Sequence, residues 1–263
     1  MRWEEAVTLV TGASRGIGRA VARAAAGKGA RLGLVARNQE DLEQVLDEIG
    51  GRGVVVAADV GDLTQVQAAV AKVEAALGPV DIVVANAGIG LYGPFVEAAP
   101  DEIDRLVKVN FLGTTYLLRT VLPGMVARRR GHAVTIASIS GRLAAPFEAV
   151  YSSTKFAQVG LMEALAVELS PFGIGVSIVN PGPVDTAFFE ARGTEYQRSW
   201  PSKVPADQVA TAVIRAVERR RLERFVPGWL RQTVMVRHLA PSLYLSGTRR
   251  AFRKELAELA RPR

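Results

Sequence analysis

Six short runs constrain this chain more than any other feature: Ala6–Thr11, Arg31–Ala36, Val54–Ala58, Val80–Ala85, Ala133–Ala137 and Gly175–Val179. They are apolar without the alternation of a strand wetted on one face, so each is expected to be buried on both faces of a sheet. Between them, apolar residues recur at helical spacing over Gly16–Gly27, Gln39–Ile49, Leu63–Leu77, Pro100–Met125 and Tyr151–Ser170. Strand and helix in alternation give a doubly wound, parallel α/β sheet. No repeat or low-complexity linker divides the first 185 residues, and 263 residues with 49% apolar content suit one such sheet. The expectation is a single domain over residues 1–228, with Arg224–Pro227 as a short last strand, and a basic, apolar-rich C-terminal extension over 229–263.

Composition removes several function classes. There is no cysteine, hence no disulfide framework, thiolate metal site or cysteine nucleophile. The two histidines, His132 and His238, are far apart, so no metal site is expected. The chain enters its first apolar run within a few residues of Met1, so no signal peptide is expected. No uncharged apolar stretch approaches the ~18 residues of a membrane span, so a cytoplasmic location is expected. The net charge of +7 is uneven: Arg215 to Arg263 holds 13 basic and 4 acidic residues. The rest of the chain is slightly acidic, which argues against nucleic-acid binding by the domain as a whole.

The first strand runs into Thr11-Gly12-Ala13-Ser14-Arg15-Gly16-Ile17-Gly18 and then a helix. Glycines let the backbone turn sharply and approach a pyrophosphate, and the helix that follows offers free N–H groups and the positive end of its dipole. The second strand ends at Ala36-Arg37-Asn38, where a carboxylate for a ribose 2′-hydroxyl would stand in many NAD sites. Arg37, with Arg15 as a second guanidinium, suits a 2′-phosphate instead and points to NADP. Asp59-Val60 and Asn86-Ala87-Gly88 fall at strand ends, where open α/β sheets bind ligands. Asn86 also suits a structural role, tying adjacent strand ends through its amide.

Tyr151 and Lys155 lie four apart on one helix and therefore on one face. An ammonium about 4 Å from a phenol would lower the phenol by ~2–3 pH units from its usual value near 10. Tyr151 would then serve as a general acid or base near neutral pH.

These features together resemble the classical short-chain dehydrogenase/reductase family. The resemblance rests on Thr11–Gly18, Asn86-Ala87-Gly88, Asn110, Ser138, Tyr151-x-x-x-Lys155, and Pro181-Gly182 followed by Thr186, in register from Met1 to about Thr186. It implies a Rossmann-type sheet and hydride transfer between a nicotinamide and a carbonyl or alcohol. It assigns Tyr151 as proton donor or acceptor and Ser138, rather than Ser140, as partner of the substrate oxygen. Lys155 would lower the tyrosine and hold the nicotinamide ribose, Asn110 would support a proton-relay water, and Thr186 would contact the carboxamide. Gly12, Ser14, Arg15, Gly16, Ile17, Gly18, Arg37, Asp59, Val60, Asn86, Ala87, Gly88, Pro181 and Gly182 complete the expected NADPH site.

Departures begin after Thr186. Residues 187–204 hold Phe188, Phe189, Tyr196 and Trp200, a concentration in a chain with 6% aromatics. With Leu91, Tyr92, Phe95, Leu143 and Phe147 they suggest an apolar pocket for a lipophilic substrate. The long C-terminal end differs from relatives that reduce acyl-carrier-protein thioesters and looks more like reductases of bulky hydrophobic ketones. The extension is expected to pack over the pocket or on a second subunit, favouring a dimer over a tetramer, with peripheral membrane contact as the lesser alternative. A 3-oxoacyl-thioester reductase and a non-catalytic dinucleotide-binding sensor or scaffold are the competing readings. The intact Asn110, Ser138, Tyr151 and Lys155 argue against the second.

Overall fold

The computed structural model describes residues 1–196 and 201–260. Its centre is a parallel sheet of seven strands: β1 (Val7–Thr11), β2 (Arg31–Ala36), β3 (Gly53–Ala57), β4 (Ile82–Ala85), β5 (His132–Ile136), β6 (Gly175–Pro181) and, after two short strands elsewhere, β9 (Glu223–Val226). The strand order is β3-β2-β1-β4-β5-β6-β9, so the winding reverses between β1 and β4. Register is set by pairs such as Val10 with Leu34 on one side of β1 and Val10 with Val84 on the other. The six runs read from the sequence become β1 to β6 with ends shifted by two residues or fewer, and Arg224–Val226 lies in β9.

Both faces of the sheet are covered, which is why these strands carry no polar face. Val10, Leu32, Leu34, Val84 and Val134 pack with α1 (Gly16–Ala26), α2 (Gln39–Glu48) and α8 (Ala206–Glu218). Their neighbours in sequence, including Leu9, Val35, Val83 and Ala133, pack the other way against α3 (Leu63–Leu77), α5 (Gly113–Arg128) and α6 (Ala149–Glu168). Alternate residues thus point into two separate cores, as a strand's two-residue period requires. Helix α8 lay outside the segments marked from the sequence, although Val209, Val213, Ile214 and Val217 repeat at helical spacing and are buried.

The expected helix Pro100–Met125 is α4 (Pro100–Leu106), a π-helical turn at Val107–Leu112, and α5. The wide turn carries Asn110, fully buried. Two short strands, β7 (Val184–Asp185) and β8 (Val204–Pro205), pair in parallel and close the base of a loop that holds the single-turn helix α7 (Phe188–Ala191). Beyond β9 the chain forms α9 (Leu230–Leu239), α10 (Pro241–Ala251) and α11 (Arg253–Leu259), with Pro241 separating the first two. None of the helices among the described residues is long and apolar enough to cross a membrane.

Candidate active site

A cavity of about 1120 Å³ opens at the carboxyl ends of β1, β4, β5 and β6, where the winding reverses. At its floor Gly12 and Gly16 take φ of 64° and 55°, a region that favours glycine. A Cβ on Gly12 would lie 2.9 Å from the Ala87 Cα, and one on Gly18 only 2.1 Å from the Gly12 carbonyl oxygen. The side-chain amide of Asn86 donates to the carbonyls of Thr11 (2.9 Å) and Gly12 (3.1 Å), while its backbone N–H donates to Thr11 Oγ1 (3.1 Å). Asn86 therefore ties the end of β4 to the end of β1, the structural half of its expected role.

Helix α1 starts at Gly16 with no side-chain cap and no acidic residue in its first turn. Its first N–H groups have no side-chain acceptor, and Ser14, Arg15, Gly16 and Ile17 line the cavity. Close backbone, free N–H groups and a positive helix end fit a dinucleotide's pyrophosphate. Thr186 closes the other side: a Cβ on Gly16 would meet its Cγ2 at 3.1 Å. Arg15 and Arg37 are exposed and both line the cavity, and neither forms an ion pair among the described residues. Asp59 accepts from the Gly61 N–H at 2.8 Å, and Val60 is buried over Gly113. Pro181 and Gly182 continue the wall at the end of β6.

The motif residues meet deeper in the cavity. Ser138 leaves β5 and its hydroxyl faces the Tyr151 phenol closely enough to act on it, while its oxygen accepts from the Ser140 N–H at 3.0 Å. Ser140 turns its hydroxyl to Glu148 instead, at 3.4 Å. Tyr151 and Lys155 share a face of α6, but the expected electrostatics are not what the structure shows. The Lys155 Nζ lies 5.7 Å from the centre of the tyrosine ring, and it donates to the Ile136 carbonyl (3.1 Å) and to Gln158 Oε1 (3.0 Å). Burial pushes the Tyr151 phenol up from 10, Glu148 adds to the rise, and the Ser138 hydroxyl and the Arg192 charge oppose it. Burial alone brings Lys155 down to about 7. The lysine is not among the groups that act on the phenol: burial brings it down to about 7, so it has already lost its proton in the alkaline range where the phenol would titrate.

Asn110 Oδ1 accepts from the Ile89 N–H at 2.8 Å, and its amide donates to Ile89 O (3.0 Å) and Thr154 Oγ1 (3.1 Å). Its backbone carbonyl accepts from Gln158 Nε2 (2.7 Å) and Thr114 Oγ1 (3.0 Å).

The remaining wall is aromatic. Phe188 lies 5.7 Å from Tyr151, Phe189 5.7 Å from Phe188, and Tyr196 5.1 Å from Phe189 (ring centres). Tyr92 and Leu143 join the lining, and Phe147 stacks between Tyr92 and Phe252. Leu91 is not among the lining residues and Phe95 is 63% exposed, so these two fall outside the expected pocket. Trp200 lies outside the described residues. The sequence reading missed the Arg192–Glu148 ion pair, whose guanidinium sits 4.7 Å from both the Tyr92 and Phe189 ring centres. Those residues are 44 apart in sequence, and no local pattern joins them. Trp229, Thr233, Leu243, Tyr244 and Thr248 of the C-terminal segment also line the cavity.

A family model for short chain dehydrogenase matches residues 6–197. Dehydrogenase/reductase SDR family member 7B of Xenopus tropicalis is 32% identical over 262 residues, covering 92% of this chain and 84% of that protein. Oxidoreductase UcpA of Salmonella typhimurium is 38% identical over 218 residues, 81% of each chain. Among solved structures, a short chain dehydrogenase/reductase from Burkholderia phymatum in complex with NAD superposes with a TM-score of 0.85 at 27% identity, covering 92% of this chain and 96% of the other. The chain belongs to the short-chain dehydrogenase/reductase family, and its fold is that of a Rossmann-type oxidoreductase.

The depressed Lys155 value has a consequence for stability. Between about 7 and the ordinary 10.5, the unfolded chain holds the Lys155 proton and the folded chain has released it. Unfolding then takes up a proton, so stability from this group rises with pH, by an amount on the order of a few kcal/mol across the window. Urea midpoints measured from pH 7 to 9.5 are expected to rise in the native protein, with that rise reduced in Lys155→Met. An unchanged slope in the variant would contradict the burial of a titrating lysine.

Proposed function

We propose that this protein is an NADPH-dependent reductase of a lipophilic ketone or aldehyde. The observation that carries the reading is a buried Tyr151, beside Ser138, where a dinucleotide cradle meets an aromatic-walled chamber. A bound nicotinamide supplies the hydride. Ser138 orients the substrate oxygen, and Tyr151 delivers a proton to that oxygen as negative charge develops on it. A phenol held above its ordinary value keeps its proton throughout the neutral range, which suits donation in the direction of reduction. Preference for the phosphorylated cofactor rests on Arg15 in the glycine turn and Arg37 where the second strand ends without a carboxylate, two cations that line the cavity.

The substrate class rests on the chamber. Phe188, Phe189, Tyr196, Tyr92 and Leu143 give it apolar walls, and α9 to α11 add Leu243 and Phe252 as a roof. Tyr244 Oη donates to the Ala144 carbonyl at 3.4 Å, and Phe252 stacks on Phe147 with ring centres 6.1 Å apart. On this reading residues 1–228 are the catalytic domain, and the extension covers the substrate and limits assembly to a dimer.

Three experiments test this reading. Tyr151→Phe should lower turnover by about two orders of magnitude or more while NADPH binding changes little; near-full activity would remove Tyr151 from its role. NADPH should bind tighter than NADH by a few kcal/mol, with the preference moving towards NADH in Arg37→Asp. Equal affinities in the native protein would reject the phosphate assignment. Removing residues 229–263 should raise KM for bulky ketones far more than for small ones and change the mass seen by light scattering. Unchanged substrate range and mass would reject a covering role.

A further inference from the structure

Gln158 stands one turn beyond Lys155 on the same face of α6 and is 1% exposed. Its Oε1 accepts from the Lys155 Nζ at 3.0 Å, and its Nε2 donates to the Asn110 carbonyl and to Thr114 Oγ1, both at 2.7 Å. Only one orientation of the amide works. The Asn110 carbonyl is an acceptor without donor capacity, so a flipped amide would oppose like to like at that end in either state of the lysine, and at both ends while the lysine is an ammonium. The chain Lys155–Gln158–Asn110 is therefore directional, and it links the motif lysine to the π-helical turn.

The lysine depends on this link. Its ammonium is 3% exposed, and among the described residues it forms no ion pair. The carbonyl of Ile136 and the amide of Gln158 occupy two of its three N–H groups. The third is left for the cavity side, where Gly88 carries no side chain; a Cβ there would stand 3.7 Å from Nζ. The groups packed around it are neutral: Ile136 at the end of β5, Gly88 after β4 and Asn110 in the π-helical turn. The titratable group that faces it is Tyr151, and the charges of Glu148 and Arg192 act on that phenol.

We propose that Gln158 is a positioning residue of the active site, which holds the Lys155 ammonium beneath the Tyr151 ring and fastens it to the Asn110 carbonyl through a neutral amide. An amide offers an acceptor without a charge, so Lys155 is held in place yet left free to lose its proton near neutral pH. A carboxylate there would lock the charge on; an apolar side chain would strand the ammonium. The same amide is bonded to the Asn110 carbonyl. This role rests on the reductase reading above.

The test compares Gln158→Glu and Gln158→Met, near-isosteric changes with opposite effects on a neighbouring cation. The lysine-dependent limb of the kcat–pH profile should move up by about one pH unit or more in the Glu variant and down in the Met variant. KM for NADPH should stay within about threefold in both. A merely structural amide would lower stability and turnover in both variants without moving the limb, and that result would overturn the proposal. If the native protein reduces no carbonyl compound, the functional reading has failed, and the urea midpoint between pH 7 and 9.5 still reads the link. A rise with pH that shrinks in Gln158→Glu supports it; a slope equal to the native one overturns it.

Discussion

Two parallel strands whose connections run to opposite sides of a sheet have to be held together where they part. In this protein Asn86 does that, with three hydrogen bonds from its amide and backbone to Thr11 and Gly12. Everything in the site is placed relative to this clamp. It sets the height of the glycine turn against the end of β4, and so the distance at which a dinucleotide's backbone-facing atoms can pass. The glycines follow from it. With the ends of β1 and β4 this close, a side chain at Gly12 or Gly18 would run into backbone, the kind of contact that nothing nearby can relieve.

The sheet and its ligand edge were legible because both depend on local pattern. Leu9 and Val10 point into different cores, so a doubly covered strand must be apolar throughout, and such runs stand out. Helix α8 was equally legible in principle from Val209, Val213 and Val217, but it follows a long loop that breaks the strand–helix rhythm. The electrostatics were not legible. Spacing alone put Tyr151 beside Lys155, yet spacing carries no dielectric: burial moves the two groups apart in character, keeping the phenol protonated and bringing the lysine down to about 7. Arg192 and Glu148 were invisible for another reason, since only the folded loop brings them together.

A site of this kind is expensive to keep. Asn110, Ser138, Tyr151, Lys155 and Gln158 are all buried, and each polar group removed from water costs free energy unless it finds a partner. The solution is a chain of neutral partners around one titratable amine. The π-helical turn at Val107–Leu112 carries Asn110, whose carbonyl accepts from Gln158 of α6 as well as from Thr114 in the helix that follows.

Arg192 shows how the same economy extends to the substrate chamber. The guanidinium sits on the loop closed at its base by β7 and β8, and it reaches three segments: Glu148 ahead of α6, Tyr92 after β4, and Phe189 in its own loop. Its side chain is 5% exposed, so the ion pair is shielded from the solvent screening that makes surface pairs weak. A planar cation stacked between two rings packs as an aromatic group would while keeping its charge for Glu148. The loop is thereby fixed on the body of the protein at the place where Phe188 touches Tyr151. Glu148 raises the phenol and Arg192 opposes it, so the strut that shapes the chamber also balances the charge seen by the proton donor. Substrate shape and proton affinity are set by one pair of residues, and a change in the loop that displaced Arg192 would alter both together.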